Sequence, residues 1–502
     1  MNHQHQSLKN ETLSSLSFPQ HLDTPLSEGN AAACQRMISA DIPLPVIANF
    51  SRMYRLVEMG TTGTISEEEI KPATGIAHLE DVQQDPKYKQ AGLEAVNEFA
   101  VIRLNGGLGT GMGLSRAKSL LEVKNGLTFN DLIAKQIEAL NYSLHTTIPL
   151  IHMTSPSTNE DICAAASEFP GLLVKGLPST FCQHKHPKIF KDSLQPANLV
   201  GANGEDLDIN WNPPGHGDIY AALLSSGVAE KLLAMGKRYL FVANADNLGA
   251  TFDPTILGYM KLNKIPFLME TAERTEADKK GGHLATSRDT GRLLLRESAQ
   301  APTVDGKIIS EFEDITKYTD FNTNNIWLDL EKVVAVASKN GGCIPLPVIR
   351  NEKSVDPTDR TSARVYQLET AMGAAIGVFE GAAALRVPRT RFAPVKSHSD
   401  LLLVMSDLYR LNPHYELQRF QPDAPLPKVV LDTKNFDMNA NFKDLVQCVP
   451  SLRHAKSLRV EGPVRFTHPL VVHGNVTIVN TANSPRSIPH DVVTLTEETY
   501  EL

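Results

Sequence analysis

Leu104-Asn-Gly-Gly-Leu-Gly-Thr-Gly-Met112, followed by Gly113 and then by Lys118, is the stretch from which the rest of the chain is read. It comes directly after an apolar run, Phe99 to Ile102, that reads as a buried strand. Glycines at 106, 107, 109, 111 and 113 free the backbone to turn successive N–H groups toward an anion, and Lys118 adds a positive charge just downstream. A nucleotide-phosphate loop at a strand end is the chemical reading, and a mere tight connection is the bland one. Neither common phosphate motif fits. Ala117 stands where a Walker A loop needs Gly before its lysine, and the G-x-G-x-x-G spacing ends on Met112 or Leu114.

Outward from the loop, strands alternate with helices from about residue 96 to 395. Phe129, Leu132, Ile133, Ile137 and Leu140 fall at helical spacing behind a capping box of Thr128 and Asp131. Pro149 to Met153 and Tyr239 to Ala243 read as strands, the second feeding the turn Asn244 to Gly249, and Asp253-Pro254 opens another helix. Such alternation predicts a mainly parallel, doubly wound sheet, in which ligands gather at the carboxyl ends of strands. Both the glycine loop and Asp246 lie at such ends. A carboxylate there suits Mg²⁺, which binds through one or two carboxylates plus substrate phosphates; a turn aspartate is the alternative.

The flanks read differently. Residues 1–95 are a polar tail, expected to be disordered before about Asp41, and then helical material with a charged turn at Glu67–Glu69. Beyond residue 396 the apolar period becomes six: Leu452, Leu458, Val464, Leu470 and Val476, and again Val460, Phe466, Val472 and Ile478. That period predicts a parallel β-helix over an ordinary antiparallel sheet. So few coils must dock on the neighbouring domain or stack against another subunit, which makes self-association an expectation.

Composition excludes other classes. A formal charge of −8 with no basic run gives no footprint for nucleic acid. The first thirty residues hold no apolar run and are not expected to act as a secretory signal, and the longest aliphatic cluster, Leu401–Met405, is far below the roughly 18 residues that span a bilayer. Five scattered cysteines without a C-x-x-C pair predict a reducing, cytoplasmic setting without structural zinc. Among the remaining segments, Trp211 to Asp218 is a stiffened loop whose Asp218 is expected to cap the next helix. His216 within it either meets a phosphate or is structural. Asn322 to Trp327 reads as an amide-rich run before a strand, whose side chains either bind sugar hydroxyls or cap a turn, and His184-Lys-His186 as a solvated polar patch in preference to a metal site.

Together these segments closely resemble the eukaryotic-type UTP–glucose-1-phosphate uridylyltransferases, or UDP-glucose pyrophosphorylases. The resemblance is carried by LNGGLGTGMG with Lys118, Gln183 to Pro187, PPGHGD, ADNLGA, KGGHLA (280–285), NTNNIW, QLETAMGAAI (367–376) and RTRFAPVKSHSDLLLV. They occur in the family's order over about residues 45 to 480. The chain departs at Arg116-Ala117, where the family often has Gly-Pro, and at Ala245, where Ser is common.

The resemblance implies a Rossmann-like α/β nucleotidyltransferase domain at 96–395 and a C-terminal helix and left-handed parallel β-helix at 396–502. It also implies a Mg²⁺-dependent, reversible transfer in which glucose 1-phosphate attacks the α-phosphorus of UTP in line. Leu104, Asn105, Gly106, Gly107, Met153, Gln183 and Gly215 would bind the nucleoside, with Gln183 reading the pyrimidine edge. Lys118 would neutralise the triphosphate and Asp246 would hold Mg²⁺. His216 would meet the phosphate of the sugar substrate, Asn244, Gly282, Glu297 and Asn324 would face the hexose, and Lys396 would reach the reacting phosphates. Two competing readings are a UDP-sugar pyrophosphorylase of broad specificity and a nucleotide-sugar sensor, the latter opposed by the presence of both lysines. UDP-N-acetylhexosamine pyrophosphorylases usually carry Arg soon after the loop Thr, where this chain has Gly111. An acyltransferase role for the β-helix lacks a catalytic histidine among the hexads.

Overall fold

Residues 25–304, 307–422 and 424–502 are described by the computed structural model, and they fall into two units, each assembled from three separated stretches of chain. The fold is mixed α/β.

The first unit takes the chain up to Ala100, Gly176–Val242 and Asp253–Val387. Its sheet is organised by one ten-residue strand, Asp320–Asp329. That strand runs antiparallel to Tyr239–Val242 on one side and to the strand Phe267–Glu273 on the other. Phe267–Glu273 pairs in parallel with Ala383–Arg386, which pairs in parallel with Ala77–His78. Six of the seven residues of Phe267–Glu273 are buried, as expected of a strand covered on both faces. Among them, Glu270 accepts hydrogen bonds from Asn325 Nδ2 (3.0 Å) and Trp327 Nε1 (2.8 Å), so its buried carboxylate is satisfied by neutral donors. The amide-rich run therefore lies inside this strand, not before it. Val-poor and Asn-rich, it reads locally as a turn, and pairing on both sides overrides that preference.

Two helices near the amino terminus pack on the same unit. Glu28–Ser39 is capped by Ser27, whose hydroxyl accepts the Asn30 N–H, and Leu44–Glu58 follows. Ala33, Cys34, Met37, Ile47 and Phe50 are fully buried against Ile189, Trp211 and Leu368. The expectation of disorder before Asp41 is thus wrong from Glu28 onward; residues 1–24 lie outside the described residues. A stripe of three small or flexible apolar residues is enough to bury this helix, although Gln- and Asn-rich neighbours dilute its signal. Elsewhere in the unit the helices Pro86–Glu94 and Pro254–Leu262 touch backbone to backbone. A Cβ on Gly92 would lie 1.7 Å from the Pro254 carbonyl oxygen, so only glycine permits the crossing.

The second unit takes Val101–Lys175, Ala243–Phe252 and Pro388–Leu502. Val101 to Leu104 pair in parallel with Leu150 to Met153, and the helix Phe129–Leu144 begins with the expected Thr128–Asp131 capping box. Towards the carboxyl terminus, the strands Lys428–Leu431, Ser451–Glu461, Val471–Val479, Thr494–Thr496 and Thr499–Glu501 pair only in parallel. Leu458 faces Val476 and Val460 faces Ile478, each eighteen positions on, or three hexads. All nine apolar residues of the two six-residue series are buried. They share one core with Met112 of the glycine loop and with Leu121, Phe129, Leu401 and Phe442.

Candidate active site

In the second unit the glycine loop starts at a residue fixed from three directions. Asn105 donates its backbone N–H to Met153 O (2.7 Å) and its side-chain amide to His152 Nδ1 (3.2 Å), while its carbonyl accepts the Thr158 hydroxyl (2.8 Å). Asn105 is buried, so its side chain serves the loop's root and is not presented at the surface, whereas Gly107 is exposed. Gly109 and Gly113 hold φ near +66° and +64°, a conformation that a side chain resists. The loop closes where the Lys118 N–H meets Gly107 O at 3.0 Å.

Lys118 Nζ lies 2.6 Å from Asp246 Oδ2, with both side chains about four-fifths buried. Asp246 sits in the turn after the strand Tyr239–Asn244, whose Ala245 N–H returns to Leu104 O at 3.1 Å. Asn247 organises this turn: its Oδ1 accepts the N–H of Gly249 (3.1 Å) and of Ala393 (2.9 Å), and its Nδ2 donates to Arg391 O (3.2 Å). The Val395 N–H then donates to Asp246 O (3.3 Å), which puts the backbone of Lys396 beside the same strand end.

Lys396 is exposed and lies just before Ser397, the N-cap of the helix His398–Met405, whose capping-box Asp400 also takes the Lys396 N–H (2.9 Å). The far end of that helix is closed by Lys124. Its buried ammonium donates to the carbonyls of Val404, Met405 and Ser406 (3.1, 3.0 and 2.5 Å), an arrangement favoured by the helix dipole. Leu104, Gly106, Gly107, Lys118, Met153, Asn244, Asp246 and Lys396 are thus gathered at one set of strand ends. Among the described residues no group of three or more His, Cys, Asp or Glu side chains forms a metal cage. A single hard carboxylate beside an anion-ready loop is instead the donor set of an ion such as Mg²⁺, which completes its shell with water and phosphate oxygens.

In the first unit the turn carrying His216 is pressed onto the segment Thr370–Gly373. A Cβ on Gly215 would come within 2.4 Å of Thr370 O, and one on Gly217 within 2.4 Å of Thr370 Oγ1. Gly217 N–H donates to Thr370 O (2.9 Å), Thr370 N–H to Pro214 O (2.8 Å), and Met372 N–H to His216 Nδ1 (2.9 Å). Burial pushes the His216 imidazole down to about 4, so the ring is neutral, accepts at Nδ1 and carries its proton on Nε2. The same segment reaches the amide residues. A Cβ on Gly373 would lie 2.7 Å from Asn322 Nδ2, which donates to Asn324 Oδ1 at 2.8 Å. Asn324 has φ +58° in a strand irregularity and turns its N–H to Asn322 Oδ1 (2.9 Å). Asn322 N–H donates to Gly282 O (3.0 Å), and a Cβ on Gly282 would sit 2.5 Å from Glu297 Oε2.

His216, Gly282, Glu297 and Asn324 therefore share one scaffold, of which Thr370, Met372 and Gly373 were missed as individual positions. Their signal was the small-residue block QLETAMGAAI. Two local expectations are corrected here. Asp218 does not cap the helix Ile219–Ser225; its carboxylate accepts the His184 N–H (2.7 Å) and faces His184 Nδ1 (2.9 Å). The histidine pair is not a solvated patch either. His184 also meets Ser225 Oγ (3.1 Å), and His186 is buried against Phe50 with Nδ1 on Leu368 O. A short 3-10 turn at His216–Asp218 shifts the helix start and frees Asp218 for this use. Gln183 is half-buried and directly precedes His184, whose N–H is bonded to Asp218.

Burial also pushes His152 down to about 4 and His283 to about 3, each helped by a neighbouring arginine. These folded values lie below the ordinary range, so protonation favours the unfolded chain. Their contribution to stability is complete above about pH 6.5 and is lost as pH falls towards 4. The melting temperature is therefore expected to drop steadily from pH 6.5 to 4, while turnover shows no His216 ionisation between pH 6 and 8. A kinetic pKa near 6.5 that disappears in His216→Asn would contradict this assignment.

Comparison with known proteins places these residues in context. A family model described as UTP–glucose-1-phosphate uridylyltransferase matches residues 47–473. The enzyme of that name from Solanum tuberosum is 38% identical over 431 residues, covering 86% of each chain. That of Hordeum vulgare is 40% identical over 401 residues, covering 79% of this chain and 80% of its own. Among solved structures, a UDP-glucose pyrophosphorylase variant from Leishmania major in complex with UDP-glucose has a TM-score of 0.85 at 41% identity, covering 95% of this chain and 100% of that one. A UDP-glucose phosphorylase from Trypanosoma brucei gives 0.84 at 39%, with the same coverage.

Proposed function

Because the chain belongs to the UTP–glucose-1-phosphate uridylyltransferase family, we propose that the cluster of Lys118, Asp246 and Lys396 is its reacting centre. The activity is nucleotidyl transfer: UTP and glucose 1-phosphate give UDP-glucose and diphosphate. The observation that carries the assignment is the joining of Lys118 to the Asp246 carboxylate and of the Lys396 backbone segment to the Asp246 carbonyl.

A phosphate oxygen of glucose 1-phosphate attacks the α-phosphorus of UTP, and the bond to the β-phosphate oxygen breaks as diphosphate leaves in line. The attacking oxygen is already ionised at neutral pH, so no protein nucleophile is required. The task is to bring two anions together and hold them aligned. Lys118 and Lys396 supply positive charge where negative charge develops in the transition state. Mg²⁺, bound through Asp246, would neutralise further phosphate charge. In the first unit His216, with its proton on Nε2, is suited to donate to the sugar phosphate, while Gly282, Glu297 and Asn324 are suited to hold the hexose. Leu104, Gly106, Gly107 and Met153 take the nucleoside, as do Gln183 and Gly215.

The segment 396–502 is proposed as a helix followed by a short left-handed β-helix; the three-hexad offset and the parallel pairing support the β-helix part. Self-association through its outer rung follows from the same reading. No helix among the described residues is long and apolar enough to cross a membrane; a cytoplasmic location is proposed from the five scattered cysteines.

The test is pyrophosphate release from UTP and Mg²⁺ with glucose 1-phosphate, galactose 1-phosphate or N-acetylglucosamine 1-phosphate. Release with glucose 1-phosphate alone is expected; comparable rates with several sugars would favour the broad pyrophosphorylase. Labelled diphosphate is expected not to exchange into UTP without sugar, since exchange would require a uridylyl-enzyme.

A further inference from the structure

Both ends of the glycine loop are held by the first turn of a single helix, Asn159–Ser167. Thr158, the residue before it, does not cap the helix with its hydroxyl; it donates to the Asn105 carbonyl at the loop's entrance (2.8 Å). At the exit, Asp161 Oδ2 accepts the Ala117 N–H (3.0 Å), and the Arg116 guanidinium lies 3.6 Å from its Oδ1. Ala117 is 1% exposed, so its N–H has no water to turn to if the carboxylate is removed. The next residue is Lys118, whose ammonium meets Asp246. Between the two clamps lie five glycines, which give the loop little stiffness of its own.

We propose that Asp161 is a positioning residue that fixes the exit of the glycine loop and so places Lys118 for the nucleotide phosphates. The proposal rests on the phosphate-binding role assigned to the loop above. Its competitor is a purely local one: an acidic residue in a first turn also stabilises its own helix. The two differ in what Ala117 should do. Ala117 has φ −52°, already within the range of proline. Proline there would remove the N–H that needs an acceptor and would stiffen the exit, without touching the helix.

The experiment compares the wild type with Asp161→Asn, Asp161→Ala and the double variant Asp161→Ala/Ala117→Pro. Each is followed by steady-state kinetics and by hydrogen–deuterium exchange over residues 106–116 without substrate. Asp161→Asn keeps an acceptor and is expected within about threefold of wild type, whereas Asp161→Ala raises the UTP KM about tenfold or more with little change for glucose 1-phosphate. Exchange across 106–116 quickens in Asp161→Ala, and proline at 117 returns both the KM and the exchange most of the way. Unchanged exchange and kinetics in Asp161→Ala would sink the proposal. So would a loss that proline at 117 leaves unrepaired, since that marks helix stability alone. If no protein releases pyrophosphate yet exchange still rises in Asp161→Ala, the transferase reading fails and the tether stands.

Discussion

Lys396→Ala is expected to lower kcat for pyrophosphate release by about 10²–10³, the order of loss that follows removal of one preorganised oxyanion donor. The melting temperature should hardly move. The side chain is exposed, and its segment is secured by backbone bonds, from Val395 N–H to Asp246 O and from Lys396 N–H to Asp400, that alanine preserves. Because the equilibrium constant is fixed by the substrates, kcat/KM for the reverse pyrophosphorolysis of UDP-glucose must fall in proportion with that of the forward reaction. Arginine at 396 restores charge but not its compact placement, so only partial recovery is expected. A variant that keeps more than a tenth of the wild-type rate would remove Lys396 from the reacting centre.

Asp246→Asn is expected to have the second large effect, a loss of about 10³ in turnover together with a marked rise in the Mg²⁺ concentration needed for half the remaining rate. Asn keeps an acceptor for Lys118 Nζ, which lies 2.6 Å from the carboxylate, and the backbone carbonyl still holds Val395. The turn should therefore survive, as near-UV circular dichroism can verify, and the deficit can be assigned to charge. An unchanged Mg²⁺ dependence would instead make Asp246 only the counter-ion of Lys118.

What the sequence disclosed and what it hid differ by range. Local signals held: the Thr128–Asp131 capping box, the Asp253–Pro254 helix start and the burial of apolar residues six apart all depend on neighbours within a turn or a rung. Signals that depend on distant partners failed. Asp218 looked like a cap because such residues usually are, yet a 3-10 turn hands its carboxylate to His184. Asn322 to Trp327 was placed before a strand and not inside one because nothing in the run announces Phe267–Glu273 beside it. Thr370, Met372 and Gly373 went unnoticed as positions because they work through backbone groups and the absence of a Cβ, which residue type scarcely betrays. Asn105 illustrates a subtler limit: a polar residue in a binding motif can be there to root the loop.

The assembly of each unit from three separated stretches bears on how the protein is made. The turn around Asp246 is clasped by residues 391–395, and Met112 shares its core with side chains as late as Leu495. On the ribosome, the loop emerges in the first quarter of the chain and the aspartate near its midpoint, and both must wait, unbraced, until the last fifth has been translated. A nascent chain of this protein is therefore inert for most of its synthesis, and its exposed apolar segments need shielding over that interval.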